Sequence, residues 1–92
     1  MNTAVYMITY DLNEPGQDYD GVISAIKESS SGKWCSYWKS SYLIQSNLTA
    51  NEIISKIQPH LTHNDKLIVI QVTSHYQGWL GKEQWDYISQ MF

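Results

Sequence analysis

The strand-like stretch Ala4 to Leu12, AVYMITYDL, has two faces and neither is polar. Tyr6, Ile8, Tyr10 and Leu12 fall on one side, and Val5, Met7, Thr9 and Asp11 on the other, as the two-residue repeat of a strand requires. Lys66 to Thr73, KLIVIQVT, is apolar on both sides as well and is the clearest strand in the chain. Strands of this kind must be covered twice, by their own chain or by another subunit. The chain has 92 residues, so a single domain spanning residues 1–92 must supply that cover from one small core, and self-association would help it.

The remaining elements follow from local signals. Asn13 to Gln17 reads as a turn, and Asp18 as the N-cap of a helix from Tyr19 to Ser29, with Tyr19, Val22, Ile23 and Ile26 as its buried stripe. Two short aromatic and β-branched runs, Lys33 to Trp38 and Ser41 to Ser46, suggest a hairpin about Lys39-Ser40, without the usual Asn-Gly turn. Thr49-Ala50-Asn51-Glu52 fits a capping box. The helix it opens should bury Ile53, Ile54, Ile57 and Leu61 and fray near Pro59, which lacks a backbone donor. Lys82 to Phe92 predicts a last helix with Trp85, Ile88 and Phe92 on one face. The resulting class is α+β, the ferredoxin-like order β-α-β-β-α-β with a C-terminal addition. Both helices of that plan cover the same sheet face. A homodimer packed sheet against sheet would cover the other, with the segment holding Trp79 and Trp85 crossing to the partner or folding back on its own sheet.

Charge narrows the partners. The net charge is −3 and all six strong cations are lysines, dispersed along the chain, whereas phosphate binders concentrate basic residues. The lone Cys35 has no intramolecular disulfide partner, and the opening Met-Asn-Thr-Ala resembles neither a signal nor a transit peptide. These features point to a reducing cytoplasm. No apolar run approaches the ~20 residues of a membrane span. With four Trp and seven Tyr the composition is globular.

Four places could carry chemistry. Asp11, shortly before Asn13-Glu14-Pro15-Gly16, suits a turn whose carboxylate bonds nearby backbone donors; a metal or catalytic ligand is the other reading. His60 and His63, spaced i, i+3 with Asp65 close behind, could hold zinc or nickel, or simply complement a helix C-terminus. Cys35 lacks a His base and reads as a small hydrophobic residue. Trp34, Tyr37, Trp38 and Tyr42 gather aromatic surface on the hairpin, for base stacking or for packing and dimer contact.

A first strand ending Tyr10-Asp11-Leu12, a helix, and a second strand pair reading Trp38-Lys39-Ser40-Ser41-Tyr42-Leu43 resemble the CRISPR-associated protein two family, and more closely its small VapD-like and SinR-labelled relatives, across residues 3 to 75. The resemblance implies a ferredoxin-like homodimer in which one aspartate per subunit, here Asp11, approaches its mate at the two-fold axis. In its nuclease members that pair holds magnesium or manganese for phosphodiester cleavage; in others the dimer is a scaffold. Ser40 falls where the family has a small hydroxyl residue. The chain departs from the pattern after Asp11, where Leu12-Asn13-Glu14-Pro15-Gly16-Gln17-Asp18 is acidic rather than basic. The expectation is therefore a homodimeric binding or scaffold module, with an unidentified protein partner and reduced or lost nuclease activity. The alternative is a divalent-metal nuclease built on paired Asp11 carboxylates.

Overall fold

The computed structural model describes residues 3–12 and 18–92; the turn expected at 13–17 lies outside them. Strand β1 (Ala4–Asp11) leads to helix α1 (Tyr19–Ser29), then β2 (Trp34–Cys35) and β3 (Ser41–Ser46). Helix α2 (Ala50–Ile57) runs into a 3-10 turn (Gln58–His60), followed by β4 (Lys66–Val72) and α3 (Lys82–Gln90). The class is α+β: among the described residues, one antiparallel sheet in the order β2-β3-β1-β4 and three α-helices. Among the described residues no helix is long and apolar enough to cross a membrane.

Local chemistry sets the helix ends. Asp18 caps α1 by accepting a hydrogen bond from the Gly21 amide at 3.0 Å. The chain leaves that helix through Gly32, whose φ of 127° suits glycine. Thr49 and Glu52 exchange the two bonds of a capping box at the start of α2, 3.2 and 2.9 Å. Pro59 sits inside the 3-10 turn, where the missing donor ends the α-helix.

The register sorts the strands into two faces. Tyr6 lies between Ile44 and Gln71, and Ile8 between Tyr42 and Val69. On this first face Val22, Ala25 and Ile26 of α1, with Ile53 and Ile57 of α2, close a core around Tyr6, Ile8, Leu12 and Ile44. The polar atoms near that core are paired: Tyr6 OH donates to the Leu48 carbonyl at 2.8 Å, and the Ser46 hydroxyl to the Ser29 carbonyl at 2.6 Å. Ala25 and Ser29 take up burial expected of Tyr19, which is exposed, and Ile23, which is half-buried.

The second face holds Val5 between Gln45 and Val72, then Met7 between Leu43 and Ile70, then Thr9 between Ser41 and Ile68. Of the two routes open to the C-terminal segment, the chain takes the return: Ile88 and Met91 pack on Val5, Cys35 and Leu43 of its own sheet. The end of α3 is tied down there. Gln45 Nε2 donates to the Met91 carbonyl at 2.9 Å and Lys33 Nζ to the Gln90 carbonyl at 3.3 Å. Met91 occupies the buried place expected of Phe92, because the helix stops at Gln90 and leaves Phe92 exposed.

The hairpin also differs from expectation. Only Trp34 and Cys35 pair with β3, opposite Ile44 and Leu43. Beyond them the Ser36 hydroxyl donates to the Ser41 carbonyl at 2.8 Å. That side chain takes over a strand acceptor, and the ladder ends. The turn is closed by Ser40, at φ 58°, in the left-handed conformation that Asn-Gly would otherwise supply.

Candidate functional site

The second face is only half covered, and this divides it into two zones. Near α3 the side chains of Met7, Leu43 and Val72 form the floor of a cavity of about 450 Å3. Its walls are Trp38, the segment Tyr76 to Leu80, and Trp85, Ile88 and Phe92. The size falls within the ~300–1,000 Å3 typical of ligand sites. Three rings stack along one wall: Tyr76 lies 5.9 Å from Trp85 at 13° and 5.2 Å from Phe92 at 24°. Offset ring pairs at such spacing stabilise each other and hold the wall in shape.

At the opposite end of the same face Asp11 pairs with Lys66 across β1 and β4. A shallow hollow of about 310 Å3 lies between them, lined also by Thr9, Tyr10, Leu67 and Ile68. Asp11 is exposed, and its side chain makes no hydrogen bond among the described residues. The backbone donors that a turn-starting aspartate would use lie in 13–17, outside those residues. Ser40 is brought to the same end of the sheet, but through its backbone. Its carbonyl accepts from the Tyr10 amide at 3.0 Å and from the Thr9 hydroxyl at 3.2 Å. Tyr10, between Thr9 and Asp11 in the strand, turns the other way and is half-buried against the first-face core, where desolvation, with Tyr42 and Tyr19 nearby, raises its phenol above the usual value.

Among the described residues, those at this end do not by themselves make a divalent-cation site. Magnesium and manganese take several oxygen ligands, whereas Asp11 faces a lysine, and no group of three or more His, Cys, Asp or Glu converges among the described residues. Among the described residues that line the hollow, Asp11 is the one carboxylate.

The histidines go elsewhere. His60 ends the 3-10 turn, while His63 lies past it in the following turn, so the helical spacing that would align them is lost. His60 Nδ1 instead meets Asp18 Oδ2 at 2.8 Å, joining the α1 cap to the end of α2. Gly21 lies beneath them, and a Cβ there would run into both the Asp18 carboxylate and the His60 ring, so a side chain at this position would push the pair aside. The His60 bond lowers the Asp18 carboxyl below its usual range, helped by the Gly21 amide. Asp65 accepts from the Thr62 amide at 2.9 Å. His75 lies in the loop after β4, its amide on the Thr73 hydroxyl.

Cys35 is buried against α3, and that burial raises its thiol pKa. The hairpin aromatics are split between faces rather than forming one stacking platform. Trp34 is covered by Lys27 Nζ, 4.5 Å from its ring, and tilts against Tyr42 at 5.7 Å. Trp38 and Tyr37 belong to the second face. The cavity and the Asp18–His60 pair were both missed by sequence reasoning. The cavity had one signal, the two-sided apolarity of β1; the pair spans 42 positions and had none. Comparison of the chain with family models, with curated proteins and with solved structures returns no match.

Proposed function

We propose that this chain is a homodimeric binding module of the ferredoxin-like plan, related in kind to the CRISPR-associated protein two family and acting as a scaffold rather than a nuclease. One observation carries the reading: after α3 has packed, the second sheet face still exposes Ile68, Ile70, Trp79 and Phe92 beside an apolar cavity. Exposed apolar surface that contiguous is the usual mark of an interaction site. The strand order β2-β3-β1-β4 supports the ferredoxin-like plan. A net charge of −3 without arginine favours a protein partner over a nucleic acid. Sedimentation equilibrium tests the dimer. A mass twice 10.7 kDa at micromolar concentration is expected, and a monomer throughout would sink the reading.

A second reading, a magnesium- or manganese-dependent nuclease, is favoured by the exposed Asp11 at a strand end with Lys66 beside it. It needs more oxygen ligands than Asp11, the one carboxylate among the described residues that line the hollow, and a partner's Asp11 would supply one. Asp11→Asn should keep fold and dimer but abolish any metal-dependent cleavage, an amide being a poor ligand for hard cations. Under the scaffold reading, purified protein shows no such cleavage and both Asp11→Asn and Asp11→Ala bind partner as the parent does.

A further inference from the structure

We propose that Trp79 is the anchor of self-association, its indole entering the apolar cavity of a second copy while the second copy's indole enters this one. The inference rests on the homodimer reading and names the contact that would make it.

Trp79 is 99% exposed, an unusual state for the largest apolar side chain. Its neighbours explain the direction it takes. Leu80 turns inward to pack with the α3 cluster, and Gly78 lies against the Trp85 ring, where an added Cβ would sit 3.4 Å from the indole. Between these two inward neighbours Trp79 faces solvent. Trp79 therefore stands at the lip of the cavity that Tyr76, Trp85 and Phe92 wall.

A knob and a hole side by side on one surface are self-complementary. A two-fold axis placed at the lip brings each knob over the other's hole, the closed and isologous form of symmetry that dimers prefer. The surroundings are continuous with it, since Ile70 pairs in register with Met7 on the cavity floor and Ile68 lies one row further.

The area is sufficient. Beside Trp79, Ile68 is 54% exposed, Ile70 44%, Phe92 48% and Trp38 40%. Taking ~200 Å2 for a fully exposed large side chain, these five offer about 570 Å2. Two facing copies would then bury about 1,100 Å2, above the ~1,000 Å2 that a biological interface should clear. Tryptophan is also the residue most enriched among interface hot spots, where truncation weakens binding about thirty-fold or more.

The test compares the parent chain with Trp79→Ala, a change at an exposed position that leaves both cores intact. By sedimentation equilibrium the variant should dissociate at a concentration about thirty-fold higher or more. In parallel, 5-fluorotryptophan labelling gives four fluorine resonances for the four Trp, assigned by Trp→Phe changes. On dilution those of Trp79, Trp85 and Trp38 should move, and that of Trp34, on the other face, should stay. A Trp79→Ala dimer as tight as the parent's would overturn this contact yet leave the homodimer reading standing. So would a Trp79 resonance unchanged while the mass halves. A parent chain monomeric at every concentration would overturn both, and would leave the cavity to an apolar small molecule or an unrelated protein.

Discussion

The two faces of the sheet are built from the same strands, yet they are finished differently. The first is closed by α1 and α2, with Ile8, Ile26, Ile44, Ile53 and Ile57 all fully buried. The second is roofed late and in part, by a helix that buries only Ile88, with Met91 just past its end, and that arrives through the nine residues from Thr73 to Gly81, which form no helix or strand. Aliphatic branched side chains fill the closed face; rings line the open one. A face made of interlocking β-branched residues commits to one packing, whereas rings around a cavity leave room for an occupant. The contrast places the tightest packing on one side of the sheet and the open, ring-walled cavity on the other.

The largest effect should come from a cavity cut into the closed face. Ile44→Ala removes a fully buried side chain between Tyr6 and α1. A loss of about 2–5 kcal/mol is expected, seen as a lower urea midpoint with unchanged slope. A loss below about 1 kcal/mol would mean that this core adapts, and the comparison between faces would fail.

The counterpart on the open face is Ile88→Ala. The same kind of deletion at 3% exposure should cost less globally, because α3 can lift from the sheet without unfolding β1, β3 and β4. Hydrogen exchange separates the two outcomes. Amides of α3 should exchange faster by tenfold or more, an opening about 1.4 kcal/mol easier, while those of β1 keep the parent's protection. Equal acceleration in both would show that the roof and the sheet unfold as one unit.

How much of this was legible in the residues depends on the range of the interactions. The helix caps at Asp18 and Thr49 could be read directly, because a cap is satisfied within three positions. The two-sided character of β1 and β4 was equally plain, because a strand's period is two. What covered the second face was not, since Ile88 and Met91 present the same apolar surface whether they pack on their own sheet or a partner's. The shortness of β2 was hidden in the Ser36 hydroxyl, a polar side chain that competes with the ladder. Asp11 and Ser40 were named as site residues and do lie at one end of the sheet, but Ser40 contributes its carbonyl to β1 rather than its hydroxyl.

The smallest effect concerns the seam that ties the closed face together from outside. Asp18 accepts from Gly21 with one oxygen and meets His60 with the other, so it holds the start of α1 to the end of α2. Because the folded carboxyl is lowered, first by His60 and then by the Gly21 amide, its contribution is present above the unfolded value near ~3.9 and is lost as pH falls through the folded value. Asp18 is solvent-exposed, so the effect is modest and weakens in salt. Asn keeps the cap but removes the charge. Asp18→Asn should therefore melt lower than the parent at pH 5 to 6, and the two curves should draw together as pH falls from there through the lowered folded value. Raising salt to about 1 M, where the screening length falls to ~3 Å, should narrow the gap at pH 5 to 6. A gap that stays constant all the way down the acid side would assign the loss to altered capping rather than to charge, and the seam would then be a hydrogen bond to His60 with no titratable part.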